Sequence, residues 1–282
     1  MVLPDDGRNI MTILVTGATG NVGRQVVREL LGGGHRVRAL TRDPARADFP
    51  REVEVTAGDL AVPDSLASAL EGVTAVHLIT FDARDGAPLR TGAQIARMAA
   101  KAGVRHVTML WSGEPGPVEE AVAAEGLPWT TLQPQEFMSN ALLWTESVRT
   151  EGVVREPFGS TRSAMIHEAD IGAVAARTLT EDGHAGREYV MTGPEVLDMP
   201  RKLAVLGEAL GREIRFVELT EEQARERMRR AGASQEAIDH VVGWYADPPK
   251  EAYTVTDTVE RVLGRPARTF AQWARENADA FR

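Results

Sequence analysis

The sequence predicts an α/β fold: a doubly wound, mostly parallel sheet with a smaller C-terminal α/β part. Three observations predict it. Short apolar runs alternate with segments of helical spacing through the first half of the 282 residues. The first run leads directly into a glycine-studded turn, GATGNVG, that opens a helix-like pattern. Strands separated by segments of that length pair in parallel through right-handed crossovers, which cover both faces of the sheet. The ligand crevice of such a fold lies at the carboxyl ends of its strands.

Each element follows from spacing. TILVTG (12–17) is a short apolar strand, and Val22, Val26, Val27, Leu30 and Leu31 then recur at helical intervals. LGGGH (31–35) ends that helix, since glycine accepts the left-handed conformation of a helix terminus. RVRALTR (36–42) and EVEVTAGD (52–59) read as the second and third strands. DSLASALEG (64–72) reads as a helix and VTAVHLIT (73–80) as the fourth strand. GAQIARMAAKAG (92–103) is an alanine-rich helix before RHVTMLWS (105–112), the fifth strand. VEEAVAAEG (118–126) and PWTTLQP (128–134) supply a further helix and strand. Beyond QPQEF the rhythm loosens, with helices expected at 167–180 and 200–211 and strands at 187–193 and 213–219. EEQARERMRRAG (221–232) is so charged that it reads as a solvated helix on a lid-like appendage. The expected organisation is an extension over 1–11, a dinucleotide-binding domain over 12–150, and a smaller substrate-side part over 151–282 interleaved with the sheet.

Composition removes several classes of function. The net charge of −9 argues against non-specific binding to nucleic acid or an anionic membrane. There is no cysteine, which excludes disulfides, thiolate nucleophiles and cysteine metal sites and leaves the redox compartment open. The six histidines show no metal-ligand spacing, so no metal is expected. MVLPDDGRNIM lacks a signal pattern, and no apolar run reaches membrane-spanning length; a cytoplasmic location is the expectation. Oligomeric state stays open.

Gly17, Gly20 and Gly23 follow a strand and open a helix. Gly17 permits the sharp turn, Gly20 lets backbone approach a diphosphate, and Gly23 lets the helix pack on the strand. The helix start then presents unpaired N–H groups to an anion. At the end of the second strand, ALTRDP offers Arg42 where NAD binders place a carboxylate. A guanidinium there suits a ribose 2′-phosphate, so the expected cofactor is NADP(H); the plainer reading of Arg42 is a solvated loop arginine paired with Asp43.

TGATGNVGRQVVREL, ALTRDPARA, AGDL, GLPWTTLQPQEFMSN and DIGAVAARTLTEDGHAGREYVMTGPE together resemble the NmrA-like branch of the atypical short-chain dehydrogenase/reductases, over most of the chain. The resemblance implies a Rossmann fold in which Thr19, Gly20, Asn21 and Val22 line the diphosphate and Asp59 and Leu60 meet the adenine. It further implies that Ile79, Thr80 and Phe81 face the ribose and nicotinamide, and that the loop bearing Phe137 lies near the nicotinamide.

Carbonyl reducers of that superfamily carry a tyrosine four residues before a lysine on one helix face. Here Tyr189, Tyr245 and Tyr253 are followed at that spacing by Gly193, Pro249 and Asp257, and only three lysines occur, Lys101, Lys202 and Lys250. Substitutes are Ser112, as a hydroxyl for a substrate carbonyl or the nicotinamide amide, or as a plain turn residue; Gln135 or Glu136, as a substrate-orienting group, with an exposed or ion-paired Glu136 as the plainer reading; and His167, as a general acid or as a structural residue before a helix. Trp111, Phe137, Met138 and Trp144 are candidates for an apolar pocket wall, while core packing accounts for Trp129. The expected activity is an NADPH-dependent oxidoreductase acting on a small apolar carbonyl, quinone or enone. The alternatives are a dinucleotide-sensing regulator and a non-redox enzyme on the same fold.

Overall fold

The computed structural model describes residues 10–84, 86–111 and 116–282. It resolves into two units, the first comprising the described part of Met1–Gln133 with Ile171–Tyr189, the second Pro134–Asp170 with Val190–Arg282.

In the first unit the chain runs β1 (Thr12–Val15), α1 (Asn21–Gly32), β2 (Arg36–Thr41), β3 (Glu54–Ala57), α2 (Ala67–Leu70), β4 (Ala75–Ile79), α3 (Gly92–Lys101), β5 (His106–Leu110), α4 (Pro117–Ala124) and β6 (Trp129–Pro134). The seven-stranded sheet has the order β3-β2-β1-β4-β5-β6-β8, where β8 is Arg187–Met191. The pairings from β3 through β6 are all parallel, as the helix-length connections require. Strand order reverses between β1 and β4, so a crevice opens where their carboxyl ends part.

Alternation sorts the strand residues onto two faces. Leu14, Val76, Leu78 and Val107 gather with Leu66, Leu70, Ile95, Ala99 and Val122 of the helical segments α2 to α4 and the turn before them. On the opposite face Thr108 bonds Thr178 at 2.9 Å, on the part of a long helix (α6, Glu168–Thr180) that belongs to this unit. The α1 helix buries Val22, Gly23, Val26, Val27 and Leu30, the stripe its spacing announces. Gly172 of α6 crosses α1 so closely that a Cβ would stand 2.5 Å from the Cβ of Gln25. The segment expected as one helix over 64–72 is instead a 3-10 turn, Pro63–Leu66, running into the single turn of α2. Proline at its start and the break at Glu71, which turns to extended backbone, leave room for no more.

The second unit contains α5 (Thr145–Glu151), β7 (Val153–Glu156), α7 (Met199–Leu210), β9 (Arg215–Glu218), α8 (Glu221–Arg230), α9 (Gln235–Ala246), α10 (Thr258–Leu263) and α11 (Phe270–Glu276). The strands β7 and β9 form a separate two-stranded parallel sheet. Its core joins Met138, Trp144, Val154, Leu203 and Leu206 to Phe270, Trp273 and Phe281, with Phe270 and Trp273 stacked at 5.6 Å. The α8 helix is the solvated helix its charges announce: only Ala224 is buried, and Arg225 and Arg230 pair with the acids four positions earlier.

Candidate functional site

The glycine turn is built as its spacing requires. Gly17 has φ +59°, a conformation costly to any residue with a Cβ. A Cβ on Gly23 would sit 2.1 Å from the Gly17 carbonyl oxygen, so the helix start closes directly onto the turn. Gly20 is the extended cap residue of α1, its N–H donating to the Gly17 carbonyl at 3.0 Å. Arg24 braces the turn from outside, donating from Nε to the Thr19 carbonyl at 3.0 Å and from Nη1 to the Asp48 carbonyl at 3.1 Å.

A cavity of about 350 Å³ opens beside this turn at the carboxyl ends of β1, β2 and β4. Gly17, Thr19, Arg42, Asp59, Leu60, Ile79 and Phe81 line it, bringing together residues up to 64 positions apart that the sequence singles out. Gly20, Asn21 and Val22 lie at the start of α1 and are not among its lining; Val22 packs into the core. Thr80 is buried between two lining residues, and its hydroxyl donates to the Leu110 carbonyl at 3.3 Å, so it serves the sheet. The Asp59 Oδ1 accepts from the Ala61 N–H at 2.9 Å, and Thr91 donates to the Leu60 carbonyl at 2.7 Å, which fixes this corner. Asp43 accepts from the Ala45 N–H at 3.2 Å, capping the 3-10 turn Pro44–Arg46. No hydrogen bond or ion pair to the Arg42 or Arg46 side chain occurs among the described residues, and both line the cavity.

In the second unit, Glu136 is 5% exposed and its carboxylate is saturated. Lys202 Nζ donates to Oε2 at 2.9 Å, Ser163 Oγ donates to the same oxygen, and the Tyr245 hydroxyl donates to Oε1 at 2.8 Å. Lys202 Nζ also reaches Ser163 Oγ at 2.9 Å. A tyrosine and a lysine do therefore share one polar cluster, but across a carboxylate. Burial, and then the Glu136 charge, push the Tyr245 phenol well above its ordinary range. That is the reverse of what an adjacent lysine does to a proton-shuttling tyrosine.

Gln135 is half-buried, its N–H donating to the Met191 carbonyl at 3.1 Å. Phe137 is half-buried and bridges Ile166. The Nδ1 of His167 accepts from the Ala169 N–H at 3.1 Å, so the neutral ring carries its proton on Nε2, facing Glu276 at 3.1 Å. Both nitrogens are engaged at the start of α6. Met138 and Trp144 belong to the core, and the Trp144 indole donates to Glu156 at 3.2 Å, which removes them from a pocket wall. Ser112 lies outside the described residues. Among the described residues no group of acids and histidines could hold a metal ion, and no helix is long and apolar enough to cross a membrane.

A family model described as the NmrA-like family matches residues 10–115. Over 287 residues the chain is 37% identical to the NAD(P)H azoreductase of Xenophilus azovorans, covering 95% of this chain and 99% of that protein. The chain belongs to the NmrA-like family. It is equally 37% identical, over 95% of its length and 99% of the relative's, to the (4-alkanoyl-5-oxo-2,5-dihydrofuran-3-yl)methyl phosphate reductase of Streptomyces griseus. An NADPH-dependent quinone oxidoreductase of Escherichia coli, solved with NADPH, shares the fold with a TM-score of 0.79 at 24% identity, over 94% of this chain and 99% of the other.

Residue spacing alone missed several members of this NmrA-like site. Arg46 also lines the cavity; its signal is the short turn that Asp43 and Pro44 begin, which returns a second arginine beside Arg42. Asp82 and its partner Arg84 carry no such signal, because they follow β4 in a segment without periodicity.

Proposed function

We propose that this NmrA-like protein is an NADPH-dependent reductase of small, fairly apolar acceptors such as quinones, enones and carbonyls. The observation that carries the reading is the pair of uncommitted guanidinium groups, Arg42 and Arg46, at the end of β2 in a cavity that adjoins the glycine turn. Two arginines with no side-chain hydrogen bond or ion pair among the described residues, in one concave site, suit a dianionic phosphate monoester, the group that separates NADP(H) from NAD(H). The residues also fit the rest of a dinucleotide. The turn admits no Cβ at Gly23, and no side-chain cap hydrogen bond comes from Gly20, so the positive end of the α1 dipole suits a diphosphate.

In this reading Gly17, Thr19, Gly20, Asn21 and Val22 supply backbone to the diphosphate. Asp59 and Leu60 meet the adenine, and Ile79 and Phe81 lie along the ribose side of the cavity. Thr80 fixes those two by its bond into the sheet. Phe137, in the second unit, is proposed as a further cofactor residue on the family resemblance. The bound nicotinamide would supply hydride. The chain orients donor and acceptor and keeps bulk water out during the transfer, which is sufficient where the reduced acceptor is a delocalised anion that takes its proton from solvent afterwards. Gln135 and Ser112 are the polar side chains proposed to orient the acceptor.

The relatives named as an azoreductase and a furanone phosphate reductase support a reductase of conjugated acceptors. The test is loss of nicotinamide absorbance with a panel of quinones, azo dyes, enones and simple carbonyls, alongside calorimetry with NADPH and NADH. Turnover of at least one conjugated acceptor, with NADPH bound more tightly than NADH, is expected. Ser112→Ala and Gln135→Ala should each lower kcat with little change in NADPH affinity. Tight NADPH binding without turnover of any acceptor would overturn the reductase in favour of a dinucleotide sensor.

A further inference from the structure

The nucleotide cavity carries three carboxylates, Asp43, Asp59 and Asp82, beside Arg42 and Arg46. That is an adverse surrounding for a phosphate, since each acid repels it and competes for the arginines. Asp43 is diverted by capping its own turn. The other two meet a single guanidinium. Arg84 grips Asp82 through Nε at 3.0 Å to both oxygens and through Nη2 at 2.7 Å, and its Nη1 stands 3.4 Å from Asp59 Oδ2. The Arg84 N–H donates to Asp82 Oδ1 at 2.9 Å as well.

The local backbone holds this arrangement. Asp82 N–H donates to the Ala87 carbonyl and Gly86 N–H to the Asp82 carbonyl, each at 2.8 Å, while Phe81 bridges Pro88. Asp82 is also within the electrostatic reach of Arg42, yet Arg84 is the main reason its carboxyl is held below the usual range. A forked guanidinium–carboxylate pair is stronger and more directional than a longer-range attraction. Asp82 is thereby kept from Arg42. Among the described residues the local count with Arg84 is three arginines against three aspartates; without it their sum is negative.

We infer that Arg84 is a specificity-determining residue: by engaging Asp82 and Asp59 it leaves Arg42 and Arg46 to the 2′-phosphate and so sets the preference for NADPH over NADH. This rests on the cofactor reading above. It assigns Arg84 a positioning role, acting through Asp82, without requiring it to touch the nucleotide.

The experiment is calorimetric titration of NADPH and NADH into the wild type, Arg84→Ala, and the double variant Arg84→Ala with Asp82→Asn. Arg84→Ala should weaken NADPH by about tenfold, the scale of losing one partly screened charge near a phosphate, and leave NADH within about twofold. The double variant should recover NADPH affinity to within about threefold of wild type, because a neutral Asn no longer competes for Arg42. An Arg84→Ala variant that weakens both nucleotides equally, or neither, overturns the inference, as does a double variant without recovery. Wild-type protein that binds neither nucleotide overturns the cofactor reading itself, a result distinct from the other two.

Discussion

Gly23 and His77 show how much a single position decides in the first unit. The oxygen that a Cβ on Gly23 would strike belongs to the backbone of the turn, so no rotamer change relieves it. Gly23→Ala is expected to abolish NADPH binding and to lower the melting temperature, as calorimetry and thermal unfolding would show. Gly17→Ala places a Cβ at φ +59° and should cost about 1–2 kcal/mol of stability. His77, wholly buried in the middle of β4, has its pKa lowered from 6.5 to about 4 by burial. Its folded pKa lies below its unfolded one, so between pH 6.5 and about 4 the unfolded chain binds a proton that the folded chain refuses. Stability should therefore fall as pH is lowered through that window, by up to about 3 kcal/mol from this residue. His106, lowered to about 4 by burial and by His184, acts in the same direction. Denaturant melts at pH 7 and pH 4.5 should show a smaller difference for His77→Leu than for wild type; an equal difference would refute the assignment.

Among the elements, the instructive case is the junction of the segment after β6 with α7 and α9. Glu136, Lys202 and Tyr245 arrive there from three separate elements and satisfy one another in the core. Removing one member of a buried ion pair leaves the other charge without compensation, so Glu136→Ala or Lys202→Ala should destabilise by about 3–5 kcal/mol. The pair Glu136→Gln with Lys202→Met should cost less than either, and chemical denaturation of the three variants decides it. Trp144 is an element-level anchor too, linking the turn before α5 to β7 through Glu156. Trp144→Ala should lower stability by about 3–5 kcal/mol, the range for emptying an aromatic core site.

At the scale of the whole molecule, a ligand that binds only the folded chain raises stability in proportion to the logarithm of its excess. NADPH at one hundred times its Kd should add about 2.7 kcal/mol to unfolding, and NADH at the same concentration less. Much of the first unit was legible in sequence because its signals are local. A strand, a turn and a helix over residues 12–32 carry both their period and their glycines within one short stretch. The second unit was legible in part: α7, α8 and β9 announced themselves by period or charge, but β7 did not. Its Val153 and Val154 look like the tail of any helix until β9, some sixty residues later, pairs with them.

By itself the sequence determined the glycine turn and the arginine at the end of β2, since both depend on residues adjacent in the chain. Gly17, Gly20 and Gly23 fall between β1 and the first turn of α1, and Arg42 follows β2 directly. What only the tertiary structure decided was the company of each charge. Glu136 finds Ser163, Lys202 and Tyr245 at separations of 27, 66 and 109 residues, and Asp59 finds Arg84 at 3.4 Å. Period and spacing fall silent over such distances. Whether a carboxylate serves a substrate or the core depends on which donors folding brings within hydrogen-bond reach.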